Sequence, residues 1–260
     1  MGAPNANGCA ALWEATSSGV RCPYGSLNYP AMVSAVATDR RILLAHHPIG
    51  ASTGYMEALR GDWPALVSEA AELSPFAVEL SALSESELDG LGRYLTAEPP
   101  LAFRYLSIHG PSKGLSLPEV DLVASLLRLT AGADAVVMHP DTISEVEPFL
   151  ALGWTLVLEN MDAGKSDGCT VEQLARWFEK LPEAGFCFDV AHAWSLDRTM
   201  GLAADLLDTF GSRLRHVHVS SLSADLHHVP LSEEDEALFL PVLERCLDVP
   251  WILEAPPRDH

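Results

Sequence analysis

The sequence of 260 residues alternates regularly between eight short apolar runs of strand type and seven segments with helical periodicity. The apolar runs are nearly continuous, which is typical of parallel strands that are covered by helices. Eight strands and seven helices within residues 41–255 fit a closed (β/α)8 TIM barrel better than an open sheet. The predicted strands are 41–47, 76–81, 103–109, 135–139, 155–159, 186–189, 214–219 and 251–254.

Capping signals delimit several of the helices. Asp62 is an N-cap candidate, Ser84 and Glu87 form a capping-box pattern, and Thr170 precedes another helical segment. The predicted helices are 62–73, 84–96, 117–130, 142–152, 170–180, 198–210 and 232–247.

Only six residues follow Glu254, the end of the last predicted strand. We therefore expect the eighth helix of the barrel to be missing. An N-terminal extension, residues 1–40, is predicted to pack on the barrel and cover the gap between the first and seventh helices. Residues 41–260 would then form the catalytic barrel domain.

The composition is strongly acidic, with 16 basic and 36 acidic residues and a net charge of −20. This charge counts against a broad contact with a phosphate backbone, so duplex DNA is possible but disfavoured as a partner. No apolar run reaches the roughly 18 residues that a membrane span requires. The five cysteines and the lack of a signal peptide favour free thiols in the cytoplasm, with a Cys9–Cys22 disulfide as the alternative.

Polar residues stand where the predicted strands end, at positions where a purely structural core would be apolar. In a TIM barrel these ends converge on one face, where active sites lie. One such pair has a simpler interpretation, in which Asp189 caps the next helix and His192 packs beside it. The whole set consists of His109, His139, Glu159, Asp189, His218 and Glu254 at strand ends, with His192, Asp225 and His227 in the loops.

Imidazoles and carboxylates are the ligands that Zn²⁺, Mn²⁺ and Fe²⁺ prefer. Four carboxylates at one barrel mouth would repel one another unless cations neutralised them. The sequence therefore predicts two or three divalent ions, with Zn²⁺ as the first choice and Mn²⁺ or Fe²⁺ as possible alternatives.

The motifs around these residues resemble the xylose isomerase-like TIM-barrel superfamily, and within it the endonuclease IV type (AP endonuclease family 2). The resemblance covers about residues 41–255, and its motifs are specific in combination rather than singly. They are SIHGP (107–111), HP (139–140), EN (159–160), DVAHA (189–193), HVSS (218–221), DLHH (225–228) and LE (253–254).

The resemblance implies that Glu159 bridges two ions. His109 and His139 would complete the first site, and Asp189, His218 and Glu254 the second. His192, Asp225 and His227 would hold a third ion. Such a cluster activates a hydroxide and neutralises the oxygens of a phosphate ester, so no side chain needs to act as the nucleophile.

We therefore expect a multinuclear, metal-dependent hydrolase of a phosphate ester, acting on a small phosphorylated or sugar substrate. One alternative is a sugar or sugar-phosphate isomerase or epimerase, in which Glu159 and Glu254 flank one ion and shuttle a proton beside a carbonyl group. Another is a non-catalytic, metal-bound binding protein. In both enzymatic interpretations Glu159 and Glu254 are the candidate catalytic residues.

Six further residues are candidates for substrate binding, and each has a structural alternative. A lysine could reach a phosphate or remain a solvated loop residue, and Trp194 could stack on a substrate or pack against the core. His228 could orient His227. The two histidines at 46 and 47 could line the mouth or be buried in a structural role. The six are Lys113, Lys165, Trp194, His228, His46 and His47.

Overall fold

The computed structural model describes residues 47–97 and 101–258, which contain a closed barrel of eight parallel strands. The strands follow one another around the barrel in chain order, and β8 pairs with β1 to close it. The predicted TIM barrel is therefore confirmed. The strands are β1 Ile49–Ser52, β2 Ala77–Ser81, β3 Tyr105–His109, β4 Ala135–Met138, β5 Leu156–Glu159, β6 Gly185–Asp189, β7 Leu214–Val219 and β8 Trp251–Leu253.

Helices connect most of the strands, and their starts follow the capping signals. The Asp62 side chain accepts a hydrogen bond from the Ala65 amide at 3.1 Å, and Thr170 forms a capping box with Gln173. The helices are α1 Trp63–Leu73, α2 Glu85–Ala97, α3 Glu119–Leu129, α4 Val171–Lys180, α5 Val190–Leu196, α6 Gly201–Phe210 and α7 Glu233–Leu243.

The first strand is the largest correction to the sequence-based boundaries. The prediction placed it at 41–47 and ended it at Pro48, but β1 begins after that proline. Gly50 lies within β1 rather than beyond it. A Cβ atom at this position would lie 2.6 Å from the Cβ atom of Ala77 in β2, so only glycine lets the two strands approach so closely.

Two connections also differ from the prediction. Between β4 and β5 the chain forms a 3₁₀ helix, Glu147–Thr155, instead of an α-helix over 142–152. Pro148 lacks an amide hydrogen, and Gly153 has a φ of 53°, which interrupts helical hydrogen bonding. The predicted sixth helix, 198–210, begins later than expected, as α6 at Gly201, because Met200 has a left-handed φ of 62°. The sequence did not predict α5, which precedes it.

After β7 the chain forms a short antiparallel hairpin that the sequence did not predict. Its strands are Ser221–Leu222 and His228–Val229. This segment, called here the β7 hairpin, carries the DLHH motif.

The apolar core lies between the strands and the surrounding helices, whereas the barrel interior is largely polar. Inward side chains such as Ser52, Glu79, Ser81, Ser107 and His216 are at most 1% exposed. The interior therefore consists of a hydrogen-bonded network beneath the mouth.

The remaining domain predictions concern residues outside the described ranges. The N-terminal extension, His46 and the possible Cys9–Cys22 disulfide all fall there, so they stay predictions. Residues 254–258, which follow β8, form no helix. Within 47–97 and 101–258, no helix combines the length and apolarity that crossing a membrane would require.

Candidate metal centre

Strand register brings the strand-end residues together at the mouth. Asp189 in β6 pairs in register with His218 in β7, and Glu159 in β5 pairs with Cys187 in β6. Asn160 fastens the ends of β5 and β6 to each other, because its side chain donates to the Asp189 carbonyl at 2.9 Å and accepts from the Asp189 amide at 2.8 Å. The geometry of the mouth is therefore set by backbone pairing.

Glu159 lies at the middle of the cluster. Its Oε2 atom is 3.4 Å from His109 Nε2 and 3.3 Å from His139 Nε2. His109 donates its Nδ1 hydrogen to the Gly110 carbonyl at 2.9 Å, which leaves Nε2 available as a ligand atom. These three residues form a group whose ligand atoms lie within 4.8 Å of one another.

A second group shares Glu159 and adds Asp189, His218 and Glu254. His218 Nδ1 is 3.4 Å from Glu159 Oε1 and 3.4 Å from Glu254 Oε1. Asp189 also caps α5, since its Oδ1 atom accepts the His192 amide at 2.7 Å. Both interpretations of Asp189 therefore agree with the structure, because capping uses only one of its two oxygens.

His192 lies beside this second group. Its Nδ1 atom donates to the Asn160 carbonyl at 2.9 Å and is 3.2 Å from Glu159 Oε1. Its Nε2 atom faces the Oδ2 atom of Asp162, 3.9 Å away. A third group of ligand atoms consists of Asp189, His192 and His228.

The β7 hairpin presents His228, rather than Asp225 and His227, to this third group. His228 Nδ1 is 2.7 Å from Ser220 Oγ and 3.4 Å from Glu254 Oε2. Asp225 and His227 are exposed at the turn, where Leu226 has a left-handed φ of 61°. His227 precedes the paired residues His228 and Val229 and is exposed, whereas the His228 ring contacts Ser220 and Glu254. His227 borders the mouth cavity but belongs to no group of candidate ligand atoms among the described residues.

The pKa shifts of two residues show that negative charge is crowded at the mouth. Burial, reinforced by Asp189 and Glu159, raises the pKa of Glu254 well above its usual value, although His218 opposes the shift. Burial works to lower the pKa of His192, but Asp189 and Glu159 outweigh it and raise that pKa to about 10. Both shifts reflect an excess of negative charge at the mouth, which a bound cation would neutralise.

Several buried polar atoms at the mouth have no hydrogen-bond partner. A buried polar atom without a partner is costly, so its retention needs a reason such as an ion. The atoms are carboxylate oxygens and imidazole nitrogens, the donor types that bind divalent transition metals. The residues therefore fit a divalent cation, and the unpaired atoms are Glu159 Oε2, Asp189 Oδ2, His218 Nδ1 and Glu254 Oε2.

A cavity of about 670 Å³ opens above these residues. Lys113 and Lys165 both line it, but Lys165 is held by Asp141 at 3.0 Å. Glu57 and Asp162 also line the cavity, so its wall is of mixed charge.

Two of the substrate-binding candidates lie elsewhere. Trp194 packs edge-on against Phe239, and the Arg198 guanidinium stacks 3.4 Å from the centre of its ring, so it serves in packing. His47 precedes β1 and lies 4.1 Å from the Trp251 ring at the start of β8. It is therefore at the opposite end of the strands from the mouth, and burial lowers its pKa to about 4.

Sequence reasoning missed two acidic residues. Glu79 is fully buried inside the barrel, and Asp162 is 8% exposed in the loop after β5. The signal for Glu79 was available, because positions 79 and 81 are the polar, alternate positions of an otherwise apolar strand. Asp162 carried no such signal, since acidic residues are common in loops.

Comparisons with known proteins identify the family that the chain resembles. Residues 142–259 match the family model described as xylose isomerase-like TIM barrel. The predicted resemblance to this family is confirmed. No curated protein matches the chain.

The solved structures that match this chain include two sugar epimerases and one endonuclease IV. D-Psicose 3-epimerase from Clostridium cellulolyticum is 14% identical, with a TM-score of 0.54, over 81% of this chain and 85% of that one. An L-ribulose 3-epimerase is 12% identical, with a TM-score of 0.51, over 80% and 81%. Endonuclease IV from Thermus thermophilus is 24% identical, with a TM-score of 0.48, over 75% and 87%. The two epimerases share the fold of this chain.

Proposed function

We propose that this protein is a multinuclear, metal-dependent hydrolase of a phosphate ester, with an endonuclease IV-like site. The observation that carries the proposal is the position of Glu159, which belongs to two groups of ligand atoms at once. Its Oε2 atom faces His109 and His139, and its Oε1 atom faces His218. A carboxylate shared in this way suits a bridge between two cations.

Each ion would have its own set of residues. His109, His139 and Glu159 would hold one, and Glu159, Asp189, His218 and Glu254 would hold the other. The mixed nitrogen and oxygen ligands favour Zn²⁺, with Mn²⁺ or Fe²⁺ also suited. A third ion, if bound, would use Asp189, His192 and His228, whose ligand atoms lie together. The sequence had suggested His192, Asp225 and His227 for this ion.

Paired divalent ions supply a strong nucleophile from water and stabilise charge on phosphate oxygens. The chain contributes the positions of the ligands and the pocket above them. The nearest buried thiol, Cys187, lies in the barrel interior, and burial raises its pKa well above the usual value. It therefore stays protonated and is a poor nucleophile.

The cavity favours a small substrate over duplex DNA. Its volume of about 670 Å³ is in the range that holds a small molecule. Of the two lysines that line it, Lys165 is already paired with Asp141. With a net charge of −20, the chain also lacks the excess of basic residues that binding along a duplex needs.

Metal analysis and phosphodiesterase assays test this proposal. We expect at least two divalent ions per chain, together with hydrolysis of small phosphate esters in the presence of Zn²⁺ or Mn²⁺. Abasic DNA should be a poorer substrate than a small ester. One ion per chain, or no hydrolysis with any of these metals, would contradict the proposal.

A sugar isomerase or epimerase is the second candidate. It is favoured by the group Glu159, Asp189, His218 and Glu254, which could hold a single ion without help from the rest of the mouth. Glu159 and Glu254 would then exchange a proton with a carbon atom beside a carbonyl group.

Substitution of His109 separates the two candidates. His109→Ala should abolish activity in a multinuclear hydrolase, because it removes a ligand of the first ion. An isomerase that relies on strands β5 to β8 should keep much of its rate. His47→Ala is a suitable control, since His47 lies away from the mouth.

A further inference from the structure

A buried glutamate lies directly beneath the candidate metal centre. Glu79, in the middle of β2, is fully buried in the barrel interior. Its neighbours in register are Ser52 in β1 and Ser107 in β3, both of which are buried. Among the described residues, Glu79 belongs to none of the four groups of candidate metal ligands, one of which is Cys187, His216 and His218.

The two serines fix the position of the Glu79 carboxylate. Ser107 Oγ donates to Glu79 Oε2 at 2.9 Å, and Ser52 Oγ donates to Oε1 at 3.5 Å. Ser52 is itself held by Ser81, with 2.9 Å between the two hydroxyl oxygens. The carboxylate is therefore anchored from both neighbouring strands.

The same carboxylate reaches a candidate metal ligand. Glu79 Oε2 is 3.2 Å from His218 Nε2 and 3.6 Å from His216 Nε2. The other nitrogen of His218, Nδ1, faces Glu159 and Glu254 and has no hydrogen-bond partner. His218 thus spans the distance between the buried carboxylate and the metal centre.

This arrangement determines which nitrogen of His218 is available to a cation. A neutral imidazole carries one hydrogen, and a carboxylate can only accept it. With that hydrogen on Nε2, donated to Glu79, the lone pair of His218 is on Nδ1 and directed toward Glu159 and Glu254.

We propose that Glu79 is a positioning residue, which holds His218 in the orientation and tautomer that present Nδ1 to a divalent cation. The inference rests on the proposed metal centre and extends it to a residue inside the barrel. Carboxylate partners of this kind typically change metal affinity by about 10- to 100-fold. Glu79 touches neither substrate nor cation in this role.

The first test is spectroscopic and uses the full-length protein loaded with Zn²⁺. We expect the ¹⁵N chemical shifts of the His218 side chain to report a zinc-bound Nδ1 and a protonated Nε2. Coordination through Nε2 in the unmodified protein would overturn the inference without any need for a variant.

The second test compares substitutions that separate hydrogen bonding from charge. Glu79→Leu removes the acceptor and should weaken Zn²⁺ binding by about 10- to 100-fold in competition with a chelator. Glu79→Gln retains an acceptor oxygen and should keep the Nδ1-bound spectrum with a smaller loss of affinity. Equal affinity of all three proteins would contradict the role of Glu79.

Two serine variants provide a matched pair in case Glu79→Leu fails to fold. Ser107→Ala removes a direct hydrogen bond to Glu79, whereas Ser81→Ala removes a buried hydroxyl that contacts Ser52 instead. We expect a larger loss of Zn²⁺ affinity for Ser107→Ala than for Ser81→Ala, because Ser81 reaches Glu79 only through Ser52. Equal binding by both variants would indicate a merely structural network and count against the inference.

The tests also distinguish this inference from the proposed function. If the unmodified protein binds no divalent cation, the proposed metal centre fails and the role of Glu79 fails with it. If it binds cations through Nε2 of His218, or irrespective of Glu79, only the inference fails.

Discussion

The candidate ligands on the barrel strands and those on the β7 hairpin differ in where their side chains lie. The residues that end β3, β5, β6 and β7 converge, with Glu159 at the centre of two groups of ligand atoms. The hairpin carries the same kinds of residue, yet it leaves Asp225 and His227 exposed and turns His228 inward. Residue type alone therefore does not decide which side chains reach the centre.

The difference follows from what fixes each backbone. Barrel strands are paired on both sides, so each inward position is set by register with two neighbours. The hairpin has only two paired positions, and a shift of one residue would exchange His227 for His228. A strand end is thus a dependable place to look for a ligand, and a short hairpin is not.

The largest expected effect is that of replacing Glu159, which belongs to two groups of ligand atoms on the barrel strands. Glu159→Gln should reduce both metal content and activity, the latter by about 10³-fold or more, because the residue serves both candidate sites. Metal analysis and steady-state kinetics measure these effects. Glu179→Gln, on the exposed face of α4, is the matched control. Full metal content in the Glu159 variant would contradict the role of Glu159 as a ligand at both candidate sites.

The hairpin itself offers the sharpest test of the difference. His228→Ala should weaken binding of the most loosely held ion by about 10-fold or more, since its ring lies at the third group of ligand atoms. His227→Ala should change that affinity by less than about 3-fold. Isothermal titration with Zn²⁺ compares the two. The reverse order would mean that the hairpin moves to bring Asp225 and His227 inward when ions bind.

Removal of metal should measurably lower the stability of the folded protein. A ligand present at about 100 times its dissociation constant stabilises the folded state by about 2.7 kcal/mol. For a barrel of this size that corresponds to an increase in Tm of roughly 5–10 °C. Thermal unfolding before and after chelation measures the shift, and Asp225→Ala should show the same shift as the unmodified protein. An unchanged Tm after chelation would contradict ligand binding by the strand ends.

The smallest expected effect is a pH dependence specific to His228. Burial lowers its pKa to about 4, below the usual value of 6.5. The unfolded chain therefore takes up a proton first, and the metal-free protein loses stability as the pH falls from about 6.5 toward 4. After allowance for partial exposure, the contribution is about 1 kcal/mol.

His228→Gln cannot take up this proton, so its Tm should fall less steeply over that pH range. Thermal unfolding of metal-free protein between pH 7 and pH 4.5 provides the comparison. Equal slopes for the variant and the unmodified protein would show that His228 is not buried in its neutral form.

The sequence was sufficient to predict the barrel and the strand-borne part of the mouth. Alternation of apolar runs and helices determined the architecture, and polar residues at strand ends marked the mouth. The start of β1 was misplaced because Pro48 suits the end of one strand as well as the approach to another. The helix predicted at 142–152 failed because the effects of Pro148 and Gly153 on hydrogen bonding outweighed the apolar pattern.

Other parts of the site depended on information that a single sequence does not contain. The choice between His227 and His228 is set by the register of the hairpin, which no local pattern specifies. Asp162 is close to His192 only because the loop after β5 folds back over the mouth. By contrast, Glu79 could have been found, because its position on the inner face follows from strand periodicity.

The close contact between Gly50 and Ala77 has a consequence for the molecule as a whole. β1, which contains Gly50, lies between β8 and β2 and so closes the barrel. A methyl group at Gly50 would push β1 away from β2. A larger residue at this position in β1 would therefore disturb the strand pairing that brings the strand-end residues together at the mouth. A single glycine thus permits the strand pairing that closes the barrel.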